Sequence, residues 1–289
     1  MNWKVAGMAG TAVLTLALSG YSAVAGANKF TGNVSLSAGQ TWEDDEFSPG
    51  GDDSFASIGG NAKLNIAFSS NINLQLGMTG ETAFFEDNSD RKTGFQVDAH
   101  VYTRNDNYAL GLFGGVGTGS TVSTTSAEYY FVGAEGQYYW NSFTFGLNAG
   151  FADSNTTPDY WGDNEFLSDA WFTNAEVRWY ATPKVTVTGN VGYISGETYY
   201  GAYDQDTWHW GVKAEYWPEE KEPLSLWVAY EGHTSDFNTN VGGPDYSKDD
   251  HTVKIGVTFH FGVDGGSQAN DRNGPAFNQM DYGNIVVGG

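Results

Sequence analysis

Twelve stretches of this chain alternate apolar and polar residues strictly, and the connections between them alternate long and short. Across Trp208 to Trp217, residues Trp208, Trp210, Val212, Ala214 and Tyr216 share one parity, while His209, Gly211, Lys213 and Glu215 share the other. A strand repeats every two residues, so this segment has one apolar face bounded by aromatics and one face carrying charge. A water-soluble sheet can do this in one or two strands. Twelve repetitions predict an all-β fold: a closed antiparallel transmembrane β-barrel with its apolar face toward lipid and its polar face inward.

The expected strands lie near 30–42, 54–68, 72–85, 93–104, 107–116, 127–140, 142–152, 170–181, 184–194, 206–217, 224–234 and 251–261. One face of the seventh carries Phe143, Phe145, Leu147, Ala149 and Phe151; the ninth offers Val185, Val187, Gly189, Val191 and Tyr193. The opposite faces are polar, as in Asn174, Glu176 and Arg178, or Lys184, Thr186, Thr188 and Asn190. A two-layer sandwich alternates similarly, with the apolar face packed on a second sheet. Aromatic placement disfavours it. The pairs Trp171/Trp179 and Trp208/Tyr216 bracket their apolar faces, which is where two membrane interfaces would lie.

The connections give independent support. Segments 43–53, 86–92, 117–126, 153–169, 195–205 and 235–250 are polar and long; between them lie short turns at 69–71, 105–106, 141, 182–183 and 218–223. Barrels of the outer membrane have long extracellular loops and short periplasmic turns, and an even strand number puts both chain ends on the short-turn side.

In these features the chain resembles the Gram-negative outer-membrane β-barrel proteins, broadly the porin-like ones. The resemblance covers about residues 28–261 and is one of pattern. The closing stretch HTVKIGVTFHF, with Phe259 and Phe261 as alternating aromatics, is similar to the assembly signal of such barrels. It departs from them in one respect, because residues 262–289 follow the terminal aromatic.

The first 27 residues read as a secretory signal peptide: Lys4 supplies the positive charge, Val5 to Leu18 the apolar core, and Ala23-Val24-Ala25 or Ala25-Gly26-Ala27 a small-residue cleavage site near residue 25 or 27. The barrel is then expected over 28–262 and a Gly/Asn/Asp-rich tail over 263–289. The tail has no periodicity. It reads either as a disordered periplasmic extension or as a segment that returns to the lumen, anchored by Phe277, Met280 and Tyr282. The absence of cysteine excludes a disulfide framework, a lipoprotein anchor and thiolate metal sites.

By parity, six basic residues (Lys63, Arg104, Arg178, Lys184, Lys213, Lys254) and six acidic ones (Glu81, Asp98, Glu135, Glu176, Glu215, Glu231) face the lumen. Such a wall must be ion-paired or hydrated. Since it is balanced, nearly all of the net charge of −22 lies in loops, strand ends and tail. The first loop alone offers Asp44, Asp45, Glu46, Asp52 and Asp53, an acidic mouth that attracts cations and repels anions. The same acidity argues against nucleic acid as a partner. Lumen-side Gly, Ser, Thr and Asn, among them Gly133, Gly192 and Gly256, are expected to leave space. Twelve strands fall between side-chain-filled barrels and wide porins, which suggests a restricted pore.

The function expected is passive passage of ions or small solutes, with a preference for cations. Outer-membrane lipid and lipopolysaccharide are the expected surroundings. The alternatives are a non-conducting barrel that binds a ligand or surface through acidic, aromatic loops (Tyr160, Trp161 and Phe166; Tyr199, Tyr200 and Tyr203), and a lipid-processing enzyme. For the last, His233-Thr234-Ser235 has the spacing of outer-membrane phospholipases, yet its parity is lumenal, whereas a lipid-cleaving site belongs on the outer wall. No catalytic residues, cofactor or metal ligands are expected; Asp44/Asp45, Asp204/Asp206 and Asp249/Asp250 lack the ordered spacing of a calcium loop.

Overall fold

A computed structural model describes residues 30–45, 52–68, 71–85, 91–120, 126–155, 166–198, 202–219, 223–263 and 265–278. Twelve strands run β1 (Phe30–Asp45), β2 (Asp52–Ala67), β3 (Ile72–Phe85), β4 (Arg91–Arg104), β5 (Tyr108–Ser120), β6 (Ser126–Trp140), β7 (Phe143–Asn155), β8 (Ser168–Thr182), β9 (Val185–Thr198), β10 (Tyr203–Tyr216), β11 (Leu224–Thr239) and β12 (Tyr246–Phe261). Each pairs antiparallel with its sequence neighbours, and β1 pairs with β12, so the sheet closes without an edge. A short helix, α1 (Ser267–Asn273), follows β12.

The tight ends of the barrel are local chemistry. The Asn105 side chain accepts from the backbone N–H groups of Asn107 (2.8 Å) and Tyr108 (3.0 Å), closing β4–β5 as an Asx turn. Asn141, at φ 50°, turns β6 into β7. At these ends the strands stop where the alternation stops. At the other ends they run further: β11 reaches Thr239 and β12 begins at Tyr246, inside the expected long loop 235–250. Ladder pairing carries the strands past the apolar band, because paired backbone is satisfied above a bilayer as well as within it. Connection length therefore does not alternate strictly, and 217–223 is longer than 199–202.

The outer wall is apolar. Leu112 is 67% exposed and Phe151 69%, within a belt that includes Leu36, Ile58, Val132, Leu147, Val191, Val228 and Ile255. Such a band would be unstable in water and is what lipid covers. Aromatic groups border it: Trp171, Tyr193 and Trp208 meet in series at tilted angles at one border, and Trp140, Phe143 and Trp179 stack at the other.

The inner wall is two-sided. Toward the long-loop ends of β5–β9 it carries an apolar cluster of Phe113, Tyr129, Phe131, Leu167, Phe172 and Ile194. Leu167 and its neighbour Phe166 turn inward from the β7–β8 connection and are each 1% exposed. The rest is polar. The expectation that lumenal glycines leave space holds at Gly59 and Gly146, which line the cavity described below, and is corrected at three others. A side chain at Gly133 would strike the Phe113 ring, at Gly192 the His209 ring and at Gly256 the Trp227 ring. These glycines are seats for the rings of adjacent strands.

Candidate functional site in the barrel lumen

The polar half of the lumen holds a cavity of about 400 Å³. Of the lumenal residues expected by parity, Lys63, Glu81, Glu135, Glu176, Arg178, Lys213, Glu215, Glu231 and Lys254 line it. Lys254 on β12 bridges Glu231 on β11 (3.1 Å) and Glu81 on β3 (3.2 Å). The last contact crosses two strands, and the aliphatic part of Lys254 lies beside Gly39 while that of Glu81 lies beside Gly59. The ion pair is therefore flattened along the wall. Lys213 meets Glu215 at 3.3 Å and lies 4.9 Å from the Trp227 ring centroid, a cation–π contact. Trp227 in turn donates to Thr258 (3.1 Å) and Ser35 (3.3 Å).

Three expected residues lie elsewhere. Lys184 sits in the β8–β9 turn, where its Nζ donates to Pro218 O (2.8 Å) and approaches Glu219 (3.6 Å). Arg104 and Asp98 face inward but are covered. Arg104 donates to Gly274 O (2.8 Å), and Asp98 is bonded to His100 Nε2 (3.0 Å). His100 Nδ1 meets Glu135 at 2.8 Å. A neutral imidazole brings one donor, so two ring–carboxylate bonds require one additional proton within the Asp98–His100–Glu135 trio. The trio thus carries less negative charge than its two carboxylates suggest.

The C-terminal segment is the largest feature that the strand pattern did not place. Gly262, at φ 81°, redirects the chain after Phe261. Helix α1 then lies beneath the β6–β7 and β8–β9 turns: Ser267 N donates to Pro183 O (3.2 Å), Gln268 Nε2 to Asn141 O (2.6 Å), and Arg272 to Asn141 O (2.7 Å) and Phe143 O (3.1 Å). Asp271 bonds Arg178, Tyr180 and Thr144. Residues 274–278 enter the lumen, where Phe277 packs with Tyr102, Ala109, Tyr139 and Ala276. Of the two expected arrangements of the tail, the return to the lumen is the one found through Asn278. Met280 and Tyr282 lie outside the described residues, as do the signal peptide, Glu46, Tyr160, Trp161, Tyr199 and Tyr200.

At the far rim, register joins two acidic runs that are remote in sequence. Glu43 pairs with Asp250 and Asp53, and Asp44 with Asp249 and Asp52. Asp45 lies opposite Lys248, whose Nζ binds Glu43 at 2.6 Å. The acids Asp249 and Asp250 thereby join the mouth expected from the first loop. His233 and Ser235 are on the inner face; the Ser235 hydroxyl is bonded to Thr207 (2.8 Å), and the His233 ring lies tilted to that of His209 with centroids 6.2 Å apart. His251, on the outer wall, is bonded to the Tyr230 hydroxyl at 2.9 Å.

No family model matches the chain, and no curated protein matches it. Solved structures do. The COG4313 outer-membrane channel of Pseudomonas putida F1 superposes with a TM-score of 0.58 at 11% identity, over 80% of this chain and 95% of that one. The translocator domain of the autotransporter NalP from Neisseria meningitidis gives 0.44 at 15% identity, over 89% and 96%. The KdgM porin gives 0.42 at 10% identity, over 78% and 99%. Identity this low speaks to architecture alone. With its closed twelve-stranded meander, apolar outer wall and aromatic borders, the chain has the fold of the porin-like outer-membrane β-barrels.

Proposed function

We propose that this protein is an outer-membrane channel for the passive passage of ions or small polar solutes, and that it prefers cations. The observation that carries the reading is the polar cavity inside a barrel whose outer wall is apolar. The Lys254–Glu81 pair lies along the wall beside Gly39 and Gly59, which holds its charge away from the centre. Cation preference rests on the rim, where Glu43, Asp44, Asp249 and Asp250 crowd on adjacent strands with Lys248 as the neighbouring base. Like charges directly opposite one another repel, and cations drawn to the rim relieve that repulsion. Export through a cleaved signal peptide and residence among outer-membrane lipid and lipopolysaccharide belong to the same reading. Conductance of the refolded protein in planar bilayers tests it, with the reversal potential in a salt gradient reporting the preference.

A second reading, a non-conducting barrel that binds a ligand or a surface, is favoured by the chain segments inside the lumen: Phe166 and Leu167 on one side and residues 274–278 on the other. The same bilayer measurement separates the two.

A further inference from the structure

Residues 274–278 are held differently from the twelve strands. They pair with no strand; instead, side chains of the wall grip their backbone. Arg104 on β4 donates to Gly274 O (2.8 Å), and Gln137 on β6 (2.6 Å) and Arg178 on β8 (3.1 Å) both donate to Ala276 O. Gln75 on β3 engages Phe277 twice, donating to its O (2.8 Å) and accepting from its N (3.2 Å). The Phe277 ring is 5% exposed, stacked on His100 and edge-on to Tyr102 (5.1 Å). Asn278 accepts from Lys63 Nζ (2.7 Å) and donates to Glu176 (2.6 Å).

When proteins bind extended peptides, main-chain hydrogen bonds give affinity and side-chain pockets give specificity; here Gln75 bonds both main-chain groups of Phe277 beside a pocket for its ring. Four strands supply the grips, and the pocket's central residue, His100, is oriented by Asp98 and Glu135 rather than by the tail. The connection that delivers the segment contains Gly262 (φ 81°) and Gly265 (φ 122°), backbone suited to a tether. We propose that the lumen carries a binding site for an extended peptide bearing an aromatic residue, that Gly274–Asn278 occupies it as a tethered ligand, and that its departure widens the conduit. The last clause rests on the channel reading; the first two do not.

The test uses the full chain with Phe277→Asp, which sets a carboxylate against Asp98 and Glu135. Two readouts address the site. Cleavage after Arg272, followed by mass spectrometry of native-like protein under limited trypsin, should speed up at least about tenfold, because Arg272 is now held against Asn141 and Phe143. A labelled synthetic peptide of residues 265–283 should bind Phe277→Asp at least about tenfold more tightly than wild type, whose tethered segment competes at millimolar effective concentration. The same peptide with Ala in place of its Phe should not bind. The third readout is conductance, which should rise in Phe277→Asp and fall when peptide is added on the short-turn side.

Unchanged cleavage with equal peptide binding to both proteins overturns the proposal. So does a Phe277→Asp chain that no longer shows heat-modifiable migration in SDS, since the segment is then part of the fold. If cleavage and peptide binding change as expected while both proteins stay electrically silent, the site stands and the channel reading fails.

Discussion

The Phe277 ring lies parallel to the His100 imidazole, with centroids 5.9 Å apart and planes 5° from one another, and the Phe113 ring stacks on that imidazole with centroids 5.6 Å apart. His100 thus meets one aromatic of the wall and one of the tail, while its two nitrogens bind Asp98 and Glu135. Replacing it by Leu leaves two buried carboxylates without their shared partner. Breaking a buried pair of this kind costs about 3–5 kcal/mol. The temperature at which the folded form is lost in SDS should fall, and adding Asp98→Asn with Glu135→Gln to His100→Leu should recover most of the loss. Failure of that recovery would show that the trio's charge is not what holds it.

The outward and inward faces should respond differently to a charge. Val187→Arg and Ile255→Arg place a guanidinium on the apolar outer wall, where the cost at mid-bilayer is about 2–4 kcal/mol, so folding yield into liposomes should drop. Thr188→Arg, at the cavity, should spare folding and change conductance. Equal folding defects on both faces would remove the assignment of faces.

Gly256 is a different matter from Thr188, although both have lumenal parity. Any side chain there strikes the Trp227 ring and the Leu36 carbonyl. Overpacking of this kind costs about 1–3 kcal/mol. Gly256→Ala should therefore lower heat stability, and Gly256→Ala with Trp227→Leu should lower it less than the two changes added separately.

Much of this molecule was legible in its residues, and what was not has specific causes. Alternation placed the end of β4 at 104 and the end of β6 at 140, because turn chemistry at Asn105 and Asn141 cuts these strands sharply. It missed the outer ends, as at β12, where the apolar signal fades before the ladder does. The aromatic half of the lumen was hidden because β6, reading SAEYYFVGAEGQYYW, is aromatic on both faces. His100 sat in plain sight, flanked by Asp98 and Tyr102 on the inward parity of β4, but its acidic partner Glu135 is on β6, two strands away. The tail lacked a period to read, and the grips on its main chain come from side chains of four separate strands. Only register could join Asp44 to Asp249.

Within the lumen, Lys254 should oppose the rim. Lys254→Met leaves Glu81 and Glu231 without the base that bridges them, so cation preference should increase with little dependence on salt, because charges lining a narrow lumen are poorly screened. Glu135 and Glu176 are less suitable for this test, since they also hold His100 and Asn278. A reversal potential unmoved by Lys254→Met would place the conducting path away from this ion pair.

The central claim is a cation-preferring conduit with an acidic mouth, and the reversal potential of the Phe277→Asp protein in a potassium chloride gradient tests it most directly. Its tail segment is displaced, so the path is at its widest. The account predicts discrete conductance steps and a reversal potential of the cation-selective sign at about 0.01 M salt. That preference should shrink when Asp44, Asp45, Glu46, Asp52 and Asp53 are neutralised. The contribution of the mouth should also fade toward 1 M salt, as the Debye length falls from about 30 Å to about 3 Å. Absence of conductance in both wild type and Phe277→Asp, or a reversal potential that the mouth substitutions leave unmoved at every salt concentration, would contradict it.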